Sequence, residues 1–242
     1  MEQEVKIKTK DGKTIYGFLR GSVRKPVVVF VHGLLGSMHQ HIFYNGARFF
    51  ERHGFSSFRF NLYDWRRGAR KLHECTLEVH AADLDLVIEY LRSKGARKVF
   101  AVGHSYGGPT ILMSKKKQYD AVVLWDSSYG QSVTFKKARY LKELDAYMET
   151  WSHRIIFGKK MAKEANQITP AKSRALIQEL RIPVKIVVAE KGILVKGGKQ
   201  YFSAANSPKS FAIVKGADHS FNRAGNEEAL FRETLVWLRK WR

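Results

Sequence analysis

The sequence predicts an α/β domain in which a mostly parallel β-sheet is covered by helices on both faces. Two observations predict it: short, continuous apolar runs rich in β-branched residues, and helical patterns between those runs. A strand that is apolar at every position fits a parallel sheet with both faces buried, and the helices supply the crossovers. The 242 residues are enough for one such domain, which we expect to span 1–242.

The predicted elements begin with an antiparallel hairpin, in which residues 4–10 and 14–19 flank the turn Asp11-Gly12. Buried strands follow at 27–31, 99–102, 121–125 and 184–189, with weaker strands at 55–62 and 210–214. Helical patterns cover 43–53, 77–94, 108–115 and 227–241. Gly54 and Gly95 follow two of these helices and are typical helix ends.

One long segment, between the strands at 121–125 and 184–189, interrupts the alternation. An insertion of this length usually has a function of its own. It contains helical patterns at 135–151 and 158–165, and Thr169-Pro170 is a helix start for residues 171–180. We expect residues 127–181 to form a small helical lid over one edge of the sheet.

The charge balance is strongly basic. Lys plus Arg is 43 and Asp plus Glu is 22, which gives a formal net charge of +21. Such a field favours anionic partners, but the basic residues are scattered, and no module that reads bases is present. We therefore expect a solvated basic surface without a nucleic-acid partner. A weak attraction to anionic surfaces stays open.

Composition also limits the compartment and the metal chemistry. The lone cysteine, Cys75, excludes an internal disulfide framework and a cysteine-cluster zinc site. The apolar runs are too short to span a bilayer. The polar start Met1-Glu2-Gln3-Glu4 has no secretory signal pattern, so we expect a cytoplasmic protein. We expect no metal and no cofactor.

The segment Gly103-His104-Ser105-Tyr106-Gly107 carries the strongest chemical signal. It follows a predicted buried strand and opens a predicted helix. This G-x-S-x-G pattern in a strand–turn–helix context is the nucleophile elbow, whose tight turn excludes side chains at its flanks. We expect Ser105 to be a nucleophile, and His104 to be a packing residue beside it.

Two other loops complete this hypothesis. The loop His32-Gly33-Leu34-Leu35-Gly36 follows a buried strand and could direct the Leu34 amide to the point that the Tyr106 amide faces. Two such amides would make an oxyanion hole. His219, in a loop late in the chain, suits a general base. We expect His32 to orient its own loop.

These motifs resemble the serine hydrolases of the α/β-hydrolase fold, most of all the esterase, monoacylglycerol-lipase-like and serine aminopeptidase-like group. The resemblance covers nearly the whole chain, through Val-His-Gly-Leu-Leu-Gly at 31–36, Phe-Arg-Phe-Asn-Leu at 58–62, Gly-His-Ser-Tyr-Gly-Gly at 103–108 and Gly-Ala-Asp-His-Ser-Phe at 216–221. It implies an eight-stranded, mainly parallel sheet, a lid after the sixth strand and a Ser–His–acid triad without a cofactor. A small acyl substrate would be the partner.

The sequence departs from that group at the triad acid. The acid usually follows the seventh strand in a segment like Gly-Glu-Lys-Asp, but here the segment is Ala189-Glu190-Lys191-Gly192. Three alternatives follow: Asp126, which ends the sixth strand, supplies the carboxylate; Glu190 reaches across; or the acid is absent. We favour Asp126.

Two rival functions stay open beside the serine hydrolase. Gly192 raises the possibility of a catalytically weakened or inactive chain that acts as a binding module. The net charge of +21 raises the possibility of a basic surface that binds nucleic acid or anionic lipid. Within the hydrolase hypothesis, esters, thioesters and amides are all open as substrates.

Overall fold

An eight-stranded sheet forms the centre of the molecule in the computed structural model, which describes residues 2–130, 138–150 and 155–242. The strands are β1 (Glu2–Lys8), β2 (Thr14–Arg20), β3 (Val27–Val31), β4 (Ser56–Phe60), β5 (Val99–His104), β6 (Ala121–Trp125), β7 (Arg139–Leu141), β8 (Ala146–Met148), β9 (Ile156–Gly158), β10 (Val184–Ala189) and β11 (Lys209–Val214). The large sheet has the order β1-β2-β4-β3-β5-β6-β10-β11. The neighbours from β4 to β11 pair in parallel, and β1, β2 and β4 pair antiparallel.

Helices cover both faces of this sheet, as the sequence predicts. They are α1 (His41–Arg52), α2 (Leu77–Ser93), α3 (Gly107–Met113), α4 (Lys159–Gln167), α5 (Pro170–Gln178), α6 (Val195–Ala204) and α7 (Asn226–Arg239). Along β3, Val27, Val29 and Val31 pack towards α2, α3, α5 and α6, while Val28 and Phe30 pack towards α1 and α7. Alternate side chains of a strand point to opposite faces, so an all-apolar strand supplies both layers. No helix in the described parts of the chain is long and apolar enough to cross a membrane.

Helix α6 is a helix that the sequence did not predict. It contains Gly197 and Gly198, which weaken a helical pattern. Packing explains both glycines. A Cβ at Gly197 would lie 2.6 Å from Cβ of Tyr129, and one at Gly198 would lie 2.3 Å from Cγ1 of Val188 on β10. The glycines therefore let the helix approach the sheet closely.

The insertion between β6 and β10 differs from the prediction in its first half. The helix predicted over 135–151 is wrong for the described residues 138–150, because β7 and β8 form an antiparallel hairpin there and β9 adds a third strand. Asp145 has φ 42° in the turn, a left-handed conformation that a continuing helix does not contain. Residues 135–137 and 151 of that prediction lie outside the described residues.

The second half of the insertion agrees with the prediction. The helices expected over 158–165 and 171–180 are α4 and α5. The Thr169 side chain accepts a hydrogen bond from the Lys172 amide, as an N-cap residue does, and Pro170 is the first helical residue.

Helix α4 fastens the insertion to the start of α2. The Glu164 carboxylate accepts hydrogen bonds from the amides of Leu77 and Glu78, the latter at 2.9 Å. A carboxylate is favoured there because the first amides of a helix lack partners and carry partial positive charge. Gly158 lies so close to the main chain that a Cβ would come 2.1 Å from the carbonyl oxygen of His73. The insertion thus contacts residues 73–78.

The close approach of α6 generates a stability prediction. Alanine is the better helix former by about 1 kcal/mol, but at position 198 its Cβ would overlap a buried valine on β10. Overpacking of that kind costs about 1–3 kcal/mol, so we expect Gly198→Ala to lower the free energy of unfolding. Urea unfolding would measure it.

The matched control is Lys199→Ala, on the exposed side of the same helix. It gains the same helix former without overlap, and we expect a change within about 0.5 kcal/mol. A Gly198→Ala protein more stable than the parent would show that β10 yields to the extra methyl group.

Candidate active site

Ser105 lies at the carboxyl end of β5, in the turn that leads into α3. Its φ of 54° is unusual for a residue with a side chain, and it marks a strained turn. The flanking glycines are required by space. A Cβ at Gly103 would lie 2.5 Å from the carbonyl oxygen of Gly107, and one at Gly107 would lie 2.2 Å from that of Val31. The elbow predicted from the sequence is therefore present.

Hydrogen bonds to the end of β6 and to α3 hold this strained turn. The Ser105 amide donates to the Trp125 carbonyl at 3.0 Å, and the Ser105 carbonyl accepts from the amides of Gly108 and Ser128, each at 3.1 Å. Such bonds can compensate for an unfavourable φ. They fix the direction in which the Ser105 side chain leaves the backbone.

His219 reaches Ser105 from the loop after β11. Its Nε2 lies 3.1 Å from Oγ of Ser105, which is hydrogen-bond distance for a serine hydroxyl donating to an imidazole. The His219 side chain is 41% exposed, so solvent or a ligand can approach it. Strands β5 and β11 end at the same edge of the parallel sheet, which explains how residues far apart in sequence meet.

Asp126 completes the arrangement from the end of β6. Its Oδ2 lies 2.6 Å from Nδ1 of His219, and its Oδ1 accepts a hydrogen bond from the Ala189 amide at 3.1 Å. The carboxylate is fully buried. With Nδ1 donating to Asp126, Nε2 is left to accept from the Ser105 hydroxyl. The hydrogen bond from the Ala189 amide to Asp126 could not be predicted from the sequence, because every residue except proline carries a backbone N–H donor.

Gly192 lies against this carboxylate. A Cβ at Gly192 would come 2.9 Å from Oδ2 of Asp126, so a side chain there would compete for the same space. The position where the resembling group carries its acid therefore adjoins the carboxylate that arrives from β6. The Asp126 carboxylate thus occupies space that a side chain at position 192 would need.

Glu190, the alternative acid, occupies a different place. Its Oε2 accepts a hydrogen bond from the Gly216 amide at 2.8 Å. Gly216 lies three residues before His219 in the same loop. The structure therefore brings Ser105, His219 and Asp126 together, and it places the Glu190 carboxylate at the base of the histidine loop.

His104 and His32 support the loops around the site. Nε2 of His104 donates to the carbonyl oxygen of His219 at 2.9 Å, and the two rings pack with centroids 4.7 Å apart. Nδ1 of His32 donates to the Gly33 carbonyl at 2.7 Å, and its Nε2 accepts from the Leu62 amide at 3.0 Å. His32 thus holds its own loop, as expected, and His104 holds the backbone of His219 as well as packing beside the elbow.

The loop after β3 passes directly over Ser105. A Cβ at Gly33 would lie 3.1 Å from Cβ of Ser105, and Leu35 next to the predicted oxyanion residue Leu34 has φ 64°. Tyr106, the other predicted oxyanion residue, is the N-cap of α3. Tyr106 follows Ser105 in the chain and Leu34 follows Gly33, and the role of their amides stays a prediction.

The described part of the chain offers no cluster of three His, Cys, Asp or Glu side chains that could hold a metal ion. Cys75 is buried, and burial raises the pKa of its thiol to about 12, which keeps it protonated. Ser105, His219 and Asp126 bring a hydroxyl, an imidazole and a carboxylate to the site.

Comparison with known proteins addresses the fold. Residues 26–114 match a sequence family described as alpha/beta hydrolase fold. No curated protein matches the chain by sequence. The solved esterase domain of a Rhodothermus marinus protein aligns over 100% of this chain and 99% of its own, at 17% identity and a TM-score of 0.78. The chain has the α/β-hydrolase fold.

Two further structures are similar over their whole length. Est1E from Butyrivibrio proteoclasticus covers 98% of each chain at 14% identity and a TM-score of 0.79. The monoacylglycerol lipase of Paleococcus ferrophilus covers 94% of this chain and 99% of its own at 18% identity and a TM-score of 0.71. The resemblance seen in the motifs is thus confirmed for the α/β-hydrolase fold.

Three buried histidines near the site generate a prediction about pH. Burial lowers the pKa of His32 to about 4 and those of His80 and His104 to about 3. In the unfolded chain a histidine has a pKa of about 6.5. Below that pH the unfolded chain takes up protons that the folded protein excludes, so stability is full above about pH 6.5 and falls towards about pH 4.

His80→Gln tests one of these groups, because both ring nitrogens of His80 lack a partner among the described residues. We expect the loss of unfolding free energy between about pH 7 and pH 5 to shrink by about 2 kcal/mol. Urea unfolding at both pH values would measure it. His39→Gln, at an exposed position, should leave the loss unchanged. An equal loss in His80→Gln and the parent would mean that His80 takes up its proton equally in the folded and the unfolded chain.

Proposed function

We propose that this chain is a serine hydrolase that cleaves carboxylic esters through an acyl-enzyme on Ser105. The observation that carries the proposal is the position of the His219 ring, with Nε2 3.1 Å from Oγ of Ser105 and Nδ1 2.6 Å from Oδ2 of Asp126. A nucleophile, a base and an orienting carboxylate in this order generate an activated serine. The α/β-hydrolase fold and its esterase neighbours support hydrolysis as the reaction class.

The first half of the reaction acylates the enzyme. His219 Nε2 takes the hydroxyl proton of Ser105 as Oγ attacks the substrate carbonyl carbon. The negative charge that develops on the carbonyl oxygen is stabilised by the amides of Leu34 and Tyr106, the predicted oxyanion hole. His219 then gives its proton to the leaving alcohol oxygen, the ester bond breaks, and the acyl group stays on Ser105.

The second half releases the acid. Water enters beside the half-exposed ring, His219 takes one of its protons, and the resulting oxygen nucleophile attacks the acyl-enzyme carbonyl. The proton returns to Oγ of Ser105 as the ester bond to serine breaks. Throughout, Asp126 accepts from Nδ1 and stabilises the imidazolium form of His219.

The insertion over residues 127–181 is proposed as a lid within one domain. Its described aromatic side chains pack on neighbours: Tyr147 stacks on Phe157, and Tyr129 meets Tyr201 edge to face. The first contact lies within the insertion, and the second joins the start of the insertion to α6. Phe135 and Trp151 of the insertion lie outside the described residues. We propose esters ahead of thioesters and amides because the structural neighbours include esterases.

Activity-based labelling tests the nucleophile and the base. We expect a fluorophosphonate probe to label the parent protein, and Ser105→Ala and His219→Ala to lose labelling together with hydrolysis of p-nitrophenyl esters. Loss of a triad member lowers kcat by about 10⁴ or more. A folded parent that the probe does not label would favour the binding-module alternative instead.

The disputed acid is tested by a matched pair of isosteric substitutions. Asp126→Asn removes the acceptor of the His219 Nδ1 proton, and we expect kcat to fall by about 10⁴. Glu190→Gln keeps an oxygen for the Gly216 amide, and we expect kcat to stay within about threefold of the parent. The opposite ranking of the two variants would assign the acid to Glu190.

Exchanging the residues at positions 126 and 192 tests whether their side chains would occupy the same space. Gly192→Asp alone should lower kcat, because its side chain would crowd the Asp126 carboxylate. Asp126→Gly is suited to the φ of 37° at that position, and it empties the space. We expect kcat of the double variant Asp126→Gly/Gly192→Asp to be at least about tenfold higher than kcat of Asp126→Gly. No recovery in a folded double variant would contradict the shared-space explanation.

A further inference from the structure

The two most exposed large apolar side chains of the described residues lie at one edge of the sheet. Trp65 is 95% exposed and Ile193 is 88% exposed. Trp65 follows β4 and Ile193 follows β10, and both strands run parallel to β5, which ends at Ser105. Loops after the carboxyl ends of parallel strands lie at the same edge. Both side chains therefore lie on the face that carries the candidate active site.

The strand order gives their spacing. In the strand order, β4 lies two positions from β5 on one side, and β10 lies two positions from β5 on the other. Trp65 lies in the loop after β4, and Ile193 lies in the loop after β10. Neighbouring strands are about 4.8 Å apart, so the strand ends that carry these loops are about 20 Å apart. Ser105 lies between them.

Trp65 is held in its exposed position by a structured loop. The Lys71 ammonium donates to the carbonyl oxygens of Asp64, Trp65 and Arg66 at 2.9, 2.8 and 3.1 Å. The Asp64 carboxylate accepts from Asn61 at 2.7 Å and from the Arg66 amide at 3.0 Å. These hydrogen bonds fix the backbone around Trp65, so an ordered loop presents its 95% exposed ring to solvent.

Basic side chains accompany these apolar ones. Arg67 is exposed beside Trp65, and Lys191 and Lys196 are exposed on either side of Ile193. None of the three forms an ion pair with a carboxylate within 2–130, 138–150 and 155–242, whereas Arg66 is paired with Asp64 and Glu4. The exposed carboxylates of the segments that follow β4 and β10 are engaged, since Glu74 pairs with Lys13 and Glu190 accepts a hydrogen bond from the Gly216 amide. The exposed cations thus remain available to an anionic partner.

We propose that this face binds an anionic lipid bilayer, with Trp65 and Ile193 as interfacial anchors on either side of Ser105. Tryptophan is favoured at the boundary between headgroups and acyl chains, where its ring is apolar and its N–H meets water. Arg67, Lys191 and Lys196 complement the negative surface of such a bilayer, in keeping with the net charge of +21. The proposal concerns binding alone and does not depend on ester hydrolysis.

Vesicle cosedimentation of the full chain tests the proposal. We expect partition into vesicles of equal parts phosphatidylcholine and phosphatidylglycerol to exceed partition into phosphatidylcholine alone. Trp65→Ala and Arg67→Glu should each lower partition into the anionic vesicles about tenfold. Fluorescence quenching by brominated lipid should be present in the parent and reduced in Trp65→Phe. These side chains are exposed, so unchanged melting temperatures would verify the fold.

Two controls separate this face from the rest of the surface. Val236→Ala removes a side chain that is 58% exposed on α7, and Arg24→Glu reverses a charge just before β3, at the opposite edge of the sheet. We expect both variants to partition within about twofold of the parent.

Three results would overturn the proposal. The first is no binding of the parent to anionic vesicles. The second is equal loss of binding in Arg24→Glu and Arg67→Glu with none in Trp65→Ala, which would show a diffuse charge effect. The third is binding to a single-stranded oligonucleotide, but not to vesicles, that Trp65→Ala abolishes, which would assign the face to nucleic acid.

Discussion

The hydrogen bond between the Asp126 carboxylate and Nδ1 of His219 is the interaction on which the site depends. It leaves Nε2 of the same ring facing the Ser105 hydroxyl. The bond exists because β5, β6 and β11 are parallel strands whose carboxyl ends meet at one edge of the sheet. Around it, the Ala189 amide fixes the carboxylate and the His104 ring fixes the histidine backbone. The site is a property of the sheet edge rather than of any single loop.

Positions 126 and 192 follow neighbouring strands and share one space beside Nδ1 of His219. The carboxylate is needed beside Nδ1, and two neighbouring strands can deliver it there. The closeness of Gly192 to Oδ2 of Asp126 indicates that one strand can do so only if the other carries no side chain. A missing motif residue is therefore weak evidence of lost chemistry until the neighbouring strand has been inspected.

Much of the fold and the site could be predicted because their signals are local. Val27–Val31 is apolar at every position, and Gly103 to Gly107 have a spacing that sterics impose. The failures have a common cause, since they depend on what lies across the fold. Helix α6 has glycines that the proximity of Tyr129 and Val188 explains. The strands at 139–148 need a left-handed turn at Asp145, which is not visible in a helical pattern. The contact of Glu190 with Gly216 likewise has no signature in sequence.

The attachment of the insertion has a consequence for how such a protein can diversify. Glu164 fastens α4 to the first turn of α2, and Gly158 lies on the His73 main chain, so the insertion is tied to residues outside the Ser105, His219 and Asp126 loops. The start of the insertion holds the Ser105 turn through the Ser128 amide, whereas its later part is held by the first turn of α2 and the His73 main chain. Selection can therefore vary that later part while the Ser105 turn keeps its hydrogen bonds, as long as one acidic side chain still meets the amino end of α2.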